Sequence, residues 1–378
     1  MISSTPALQD CLQHARTHGA VAIDTEFVWD ETYYPGLGLV QLGISPDAAW
    51  LIDAPALADP APVGALLADP GIIKVLHDAR QDLCILKDWS GGAPRTIFDT
   101  RLAAGFCGYS SQLSLQALLR EVLGVELEKS ETRTNWLRRP LSARQIAYAL
   151  DDVRHMLELR DRLLALAGEA GTLAWLKEEM QGLDDPALYQ ARPPAETWAR
   201  VKDAGRLNAQ GLAVLCELAA LREETAREHN LPRTWVMADA LLVTMAERPP
   251  LAAADLLAIR GLNDRQRSRL GEGLIAACRC ALEKPRQQWP RLESRHLDEA
   301  AKKQTDVALA WLKDRGAALK VDPALFGSRA EVGALISTLA AGKPESALPL
   351  LRGWRFEAAG RDLLAHFSLR GSAGFHNQ

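Results

Sequence analysis

The hydrophobic pattern of the chain changes near residue 170. Before that point, short apolar runs typical of buried strands, such as AVAIDTEFVW and IIKVLH, alternate with helical patterns. After it, strand patterns disappear and helical periodicity takes over, as in NAQGLAVLCELAALREETAREHN. The pattern therefore predicts an α/β domain followed by helical regions. The length of 378 residues is consistent with two or three domains.

Two acidic residues interrupt the first predicted strand. Asp24 and Glu26 are two positions apart in AVAIDTEFVW, so their side chains share one face of the strand. Charges inside an otherwise apolar strand carry a desolvation cost unless something compensates them. A bound metal ion is the usual compensation, and we take this pair as a candidate metal site.

Two other segments supply further candidates. Asp82 falls in the first turns of a predicted helix that follows the strand IIKVLH. Tyr148 and Asp152 are four positions apart in a predicted helix, so one lies above the other. Asp151 lacks this spacing from Tyr148. Taken alone, Tyr148 and Asp152 lie nearly opposite the apolar stripe and fit a solvated helix face equally well.

These acids occur in an order that resembles a known superfamily. The set D-x-E, H-x-x-x-x-D and Y-x-x-x-D resembles the DEDD 3′→5′ exonucleases in their tyrosine form. The flanking segments DTEFVWDETYYPGLGLVQLG, IFDTRLAAGFCG and LEKSETRTNWLRRPLSARQIAYALDDV resemble ribonuclease D. Asp82 matches the family position and lies inside the predicted helix, so we choose it over Asp78, whose role stays open, as does that of Asp151.

The helical half also resembles parts of this family. LREETAREHNLPRTWVMADALL is similar to the HRDC domain, and VDPALFGSRAEVGALIS and LLRGWRFEAAGRDLL are similar to a second, degenerate HRDC-like domain. The resemblance implies an α/β ribonuclease H-like catalytic domain, with a mixed sheet flanked by helices, plus two all-α HRDC-type helical bundles. The expected boundaries are 1–170 for the exonuclease domain, 171–206 for a helical linker, 207–287 for the first HRDC domain and 293–378 for the second.

The resemblance also implies catalytic roles. Asp24 would bridge two divalent ions, Glu26 and Asp152 would complete one site, and Asp82 would support the other through water. Tyr148 would orient the attacking water by a hydrogen bond. Carboxylate ligands without cysteine or histidine favour Mg²⁺ or Mn²⁺ over zinc.

Substrate contacts are expected from a loop before the last acid and from the second strand region. The loop LEKSETRTNWLRRPLS combines cations with an aromatic ring, which suits a single-stranded RNA backbone and a stacked base. An equally good interpretation makes its tryptophan a core anchor and its basic residues solvated. Two further residues match family positions close to the catalytic pocket. The candidate substrate-binding residues are Tyr34, Gln41, Lys129, Arg133, Trp136 and Arg139.

Composition adds limits on compartment and partner. The formal net charge of −4 argues only weakly against nucleic acid, because the catalytic acids are themselves negative. The six cysteines lack zinc spacing, which predicts reduced thiols in a cytosolic protein. No secretory or membrane-spanning pattern is found. We expect a soluble, cytoplasmic monomer that does not associate with membranes.

The expected activity is 3′→5′ exoribonuclease hydrolysis that trims tRNA precursors and other structured RNAs and releases nucleoside 5′-monophosphates. A DNA exonuclease is the alternative enzyme, since contacts to the 2′-hydroxyl distinguish the two polymers. A catalytically silent RNA-binding protein is an alternative of another class. The helical half could equally bind protein instead of RNA.

Overall fold

The structure is a computed structural model that describes residues 1–127, 134–290, 299–340 and 348–374. Its chain divides into two compact units. The first, here the sheet unit, contains Met1–Phe27, Leu37–Tyr189 and Arg295–Gln378. The second, here the helical unit, contains Val28–Gly36 and Gln190–Ser294.

Five strands form one mixed sheet, as predicted. Their order across the sheet is β3-β2-β1-β4-β5. Strand β1 pairs in parallel with β4, and β4 with β5, whereas β2 and β3 are antiparallel. The strands are β1 (Ala20–Val28), β2 (Gly36–Ser45), β3 (Ala48–Asp53), β4 (Ile73–Leu76) and β5 (Ile97–Asp99).

Helices account for most of the remaining regular structure. They are α1 (Thr5–His18), α2 (Ala61–Ala68), α3 (Arg80–Ser90), α4 (Thr100–Gly105), α5 (Leu115–Leu123), α6 (Ala143–Arg154), α7 (Met156–Ala170), α8 (Leu173–Gly182), α9 (Ala209–Glu228), α10 (Arg233–Val236), α11 (Asp239–Glu247), α12 (Ala253–Leu257), α13 (Asp264–Glu283), α14 (Glu299–Leu319), α15 (Arg329–Ala340), α16 (Gly353–Arg355) and α17 (Arg361–Gly374). Among the helices in the part of the chain described, none is long and apolar enough to cross a membrane.

The two faces of β1 pack into different cores. Val21 and Ile23 belong to a cluster that includes residues of α1, α2 and α3. Ala20 and Ala22 belong to a second cluster with residues of α4, α5 and α7. Since strand side chains alternate, Asp24 and Glu26 continue the face of Ala22. The first two residues on this face are small alanines, and the two carboxylates follow them along the strand.

The C-terminal helices differ from the expected arrangement. In the described parts of 299–374, α14 to α17 share a hydrophobic core with α4 to α8 of the sheet unit. The buried Trp354 packs edge-on against Phe106 with ring centroids 4.8 Å apart, and Arg355 forms two 2.8 Å hydrogen bonds to Glu179. The expected domain at 293–378 stays a prediction. Its resemblance to a second HRDC domain stays a prediction.

The predicted linker is also divided. Helix α8 packs in the sheet unit, whereas Gln190–Ser294 belongs to the helical unit. There α9 packs against α11 and α13 around a core that includes Leu215, Leu242 and Cys278. All six cysteines are free thiols, as the sequence predicts.

Candidate active site

Three carboxylates from two elements converge at the end of β1. Oxygen atoms of Asp24, Glu26 and Asp152 all lie within 4.8 Å of one another. The two-residue spacing on β1 supplies the first pair, and α6 supplies Asp152, whose side chain is only 6 % exposed. The strand acids that share one face and the acid on α6 are thus brought together in one cluster.

Asp82 joins this cluster through the residue between the two strand acids. The Thr25 hydroxyl donates a hydrogen bond to Asp82 Oδ1. The start of α3 is fixed from β5, where the Asp99 carboxylate accepts hydrogen bonds from the backbone N–H of Ala79, at 2.8 Å, and of Asp78. Asp99 also caps the N-terminus of α4. One buried carboxylate therefore positions the turn that leads to Asp82.

Helix α6 can approach the sheet closely because β2 carries a glycine there. A Cβ added to Gly43 would lie 2.8 Å from the Val153 carbonyl oxygen, so any larger residue would push the helix away. The helix begins with a capping box between Ser142 and Gln145. Together these features fix the height and rotation at which α6 presents Asp152.

Tyr148 stands one turn before Asp152 and forms a hydrogen bond with it. Its ring is stacked with that of Trp136, with centroids 6.1 Å apart. Burial, followed by the charges of Asp152 and Glu26, raises the pKa of Tyr148 above its usual value. The phenol therefore stays protonated at neutral pH and can act as a hydrogen-bond donor.

The cluster is electrostatically frustrated without a cation. Burial, then the charges of Asp152 and Asp82, raises the pKa of Glu26 to about 8. Burial raises the pKa of Asp152 to about 7 and that of Asp82 to about 6. Burial, then Asp82, Asp152 and Glu26, raises the pKa of Asp24 well above its usual range. These directions are those expected of like charges gathered in a poorly solvated place.

The donor atoms fit a hard divalent cation. Asp152 Oδ2 is buried and has no hydrogen-bond partner among the described residues. A divalent ion would supply the missing partner and would return the carboxyl groups to their charged form. Oxygen ligands alone are what Mg²⁺ and Mn²⁺ prefer. The site is thus a candidate divalent-metal centre.

The two acids with open roles lie outside this cluster. Asp78 is paired with Arg101. Asp151 is paired with Arg154 on the same helix at 2.6 Å. Each is satisfied by its own guanidinium, which agrees with the choice of Asp82 and Asp152.

Two of the expected substrate contacts, Gln41 and Trp136, are buried, and a third, Arg139, is paired within the protein. Gln41 is fully buried, and Trp136 is 3 % exposed beneath Tyr148. Arg139 binds both carboxylate oxygens of Asp53, at 2.9 and 2.6 Å, and donates to the Gly38 carbonyl oxygen. The burial of Trp136 favours the alternative of a core anchor for this residue, and direct substrate contact by the three residues stays a prediction.

The other three candidates are differently placed. Tyr34 is 47 % exposed and lies in the part of the helical unit that follows β1. Lys129 and Arg133 lie outside the described residues. Sequence reasoning missed Thr25 and Asp99, although both lie inside the segments DTEFVW and IFDTR that carried the resemblance.

Comparisons with known proteins agree with this geometry. Residues 1–166 match a 3′–5′ exonuclease family, and residues 211–278 match the HRDC domain family. A ribonuclease D of Desulfotalea psychrophila is 39% identical over 94% of this chain and 95% of that protein. The chain belongs to the ribonuclease D family. It is thus a ribonuclease D-type 3′→5′ exoribonuclease, a nuclease of RNA that uses divalent metal.

Relatives of known structure support the same assignment. Ribonuclease D of Escherichia coli is 33% identical over 94% of this chain. The crystal structure of the E. coli enzyme superposes with a TM-score of 0.84 at 32% identity and covers 98% of both chains. That enzyme is described as an exoribonuclease involved in structured RNA processing. The HRDC family match at residues 211–278 falls inside the first HRDC domain expected at 207–287, whose bounds stay a prediction.

Proposed function

We propose that this ribonuclease D trims the 3′ ends of tRNA precursors and other structured RNAs by a two-metal mechanism and releases nucleoside 5′-monophosphates. The observation that supports it most is the convergence of Asp24, Glu26 and Asp152 within 4.8 Å, with Asp82 attached through Thr25. Four carboxyl groups can ligate two divalent ions. The expectation of a monomer stays a prediction.

The chemistry of the bound metals and of the protein groups can be separated. When bound, two divalent ions neutralise charge on the non-bridging oxygens and stabilise the attacking and leaving oxygens of an in-line displacement. Asp24, in the middle of β1, would be a ligand shared by both ions, Glu26 and Asp152 would hold one of them, and Asp82 would help to hold the other. These assignments are those implied by the resemblance to the tyrosine-type DEDD exonucleases, and the convergence of Asp24, Glu26 and Asp152 supports them.

Tyr148 has a positioning part in this scheme. Its hydroxyl stays protonated and is anchored by Asp152, so it can hold the attacking water on the side of the carboxylate cluster. Stacking on the buried Trp136 limits the motion of the ring. Trp136 thereby contributes to catalysis through Tyr148 and without touching RNA.

The test compares Asp24→Asn with a matched variant, Asp151→Asn, which changes an acid beside the site that already has a guanidinium partner. Substrates are a tRNA with a 3′ extension and a single-stranded DNA, each with Mg²⁺ and with chelator. Asp24→Asn should lose nearly all hydrolysis of the tRNA, and Asp151→Asn should retain it.

Retention by Asp24→Asn of activity within about tenfold, a barrier change of about 1.4 kcal/mol, would remove Asp24 from the mechanism. Equal cleavage of DNA would contradict the RNA substrate. Calorimetric titration of the wild-type protein with Mn²⁺ tests the number of metals, and a stoichiometry of one per chain would contradict the two-metal scheme.

A further inference from the structure

An ion-pair network around one buried carboxylate lies in the helical unit and involves the segment that leaves the catalytic strand. This segment, Val28–Gly36, connects β1 to β2 and begins two residues after Glu26. It is grouped with the helical unit, so every contact below lies within that unit. We call it the connecting loop.

Glu223 on α9 is the centre of the network. Its side chain is 1 % exposed and accepts hydrogen bonds from Arg233, at 2.9 Å, and from Arg227, at 3.1 Å. The Tyr33 hydroxyl donates to the same carboxylate. That hydroxyl in turn accepts from Arg227 at 2.9 Å and from Arg233 at 3.1 Å. All four side chains are thus tied to one another.

The network is electrostatically matched. Burial by itself would raise the pKa of Glu223, but hydrogen bonds from Arg233 and Tyr33 outweigh it and leave the pKa below its usual value. Both guanidinium groups also lie near the Tyr33 ring, at 5.7 and 4.7 Å from its centroid. A buried ion pair is weak evidence for stability, and its best-attested use is to select one arrangement of the chain.

In this protein, the segment that the network holds in one arrangement is the connecting loop. The Asn230 side-chain oxygen accepts hydrogen bonds from the backbone N–H groups of Tyr33, at 3.1 Å, and Tyr34, at 3.0 Å. The Trp29 indole N–H donates to the Tyr33 carbonyl oxygen at 3.0 Å, and the Thr32 hydroxyl donates to the Tyr34 carbonyl oxygen at 2.6 Å. Both the backbone and one of its aromatic side chains are therefore held in place.

Two aromatic rings remain accessible on this fixed loop. Trp29 is 49 % exposed and Tyr34 is 47 % exposed, and Tyr34 meets Tyr33 edge-on with centroids 4.7 Å apart. Neither ring is needed to fill a core. Exposed aromatic faces are the groups on which single-stranded nucleic acids stack their bases, independently of sequence.

We propose that Trp29 and Tyr34 form a nucleobase-stacking surface for the RNA strand, and that Glu223, acting through Tyr33, is the positioning residue that holds this surface. The inference rests on the proposed RNA substrate and adds a contact to it. The loop is continuous in sequence with β1, which carries Asp24 and Glu26, and the inference assigns the stacked bases to the RNA strand that is shortened. Sequence-tolerant stacking suits an enzyme that removes nucleotides one after another.

The first test uses RNA in which single bases near the 3′ end are replaced, one position at a time, by abasic nucleotides. Single-turnover hydrolysis gives the maximal rate and the enzyme concentration for half-maximal rate. Loss of one stacked base should raise the half-maximal concentration about tenfold, which corresponds to about 1.4 kcal/mol of stacking. With intact RNA, Trp29→Ala or Tyr34→Ala should raise the half-maximal concentration by the same factor. With the abasic RNA that the wild type binds more weakly, the same variants should cause no further increase.

The second test separates positioning from stability. Glu223→Gln and Tyr33→Phe should both bind intact RNA more weakly and should no longer distinguish it from the abasic RNA. The maximal rate should change less than about twofold. Tyr33→Phe keeps the ring and removes only the hydroxyl. It therefore tests the positioning role even if Glu223→Gln does not fold. The matched control is Asp239→Asn, which breaks another buried ion pair of α9, to Arg222, without a contact to the connecting loop.

The outcomes are distinguishable. Discrimination lost in Tyr33→Phe and kept in Asp239→Asn supports the inference. Discrimination kept in Tyr33→Phe, or lost equally in Asp239→Asn, overturns the positioning role. Wild-type hydrolysis that ignores every abasic position overturns the stacking surface alone, whereas failure of the wild type to hydrolyse any RNA contradicts the proposed function.

Discussion

Without metal, the sheet unit should lose stability as the pH rises, and Glu26→Gln should remove the share of this loss that is due to Glu26. Glu26 has a folded-state pKa of about 8 against 4.5 in its unperturbed state. The folded protein therefore binds more protons than the unfolded chain between these values, and stability falls with pH across that window. The stabilisation is fully present only below the unfolded pKa.

The magnitude follows from the two pKa values. Between pH 5.5 and 7.5, integration of the linkage relation gives a loss of about 2–3 kcal/mol for this one group. His77 has the opposite sign, because burial lowers its pKa and stability is gained as pH rises through the unfolded value. Comparing wild type with Glu26→Gln at each pH cancels the contribution of His77, because Glu26 is not among the causes of its pKa shift. The difference reports Glu26 together with its effect on the pKa of Asp24.

Urea unfolding in chelator, followed by circular dichroism at several pH values, provides the measurement. The free energy of unfolding of wild type should fall relative to that of Glu26→Gln by about 2–3 kcal/mol from pH 5.5 to 7.5. Saturating Mg²⁺ should restore the wild type and leave the variant largely unchanged. Parallel pH profiles for the two proteins in chelator would show that Glu26 is not buried among like charges, and the reasoning would fail.

Two further predictions concern α6 and the C-terminal helices. Tyr148→Phe should slow single-turnover hydrolysis by about 10²–10⁴ while RNA binding by anisotropy is unchanged, because only the water-positioning hydroxyl is lost; a change in affinity alone would assign Tyr148 to binding. Trp354→Ala should destabilise the sheet unit by about 3–5 kcal/mol in urea unfolding, because this 1 % exposed ring packs against Phe106. An effect below about 1 kcal/mol would mean that the C-terminal helices are not part of the catalytic core.

Local periodicity determined much of the active site from the sequence alone. The period of a strand puts Asp24 and Glu26 on one face, and the period of a helix puts Tyr148 above Asp152. Both patterns act over two to four residues, so the tertiary fold could not change which side chains share a face. The α/β class and the switch to helices after residue 170 were predictable for the same reason.

The tertiary structure decided what depends on residues far apart in the chain. Trp136 could have met RNA or filled the core, and only the packing of α6 on the sheet, at the close approach permitted by Gly43, covers it with Tyr148. The connecting loop is held by Glu223, which is 190 residues from Tyr33. No local sequence pattern predicts such a pairing, because burial and ion-pair partners depend on which distant segments pack together in the fold.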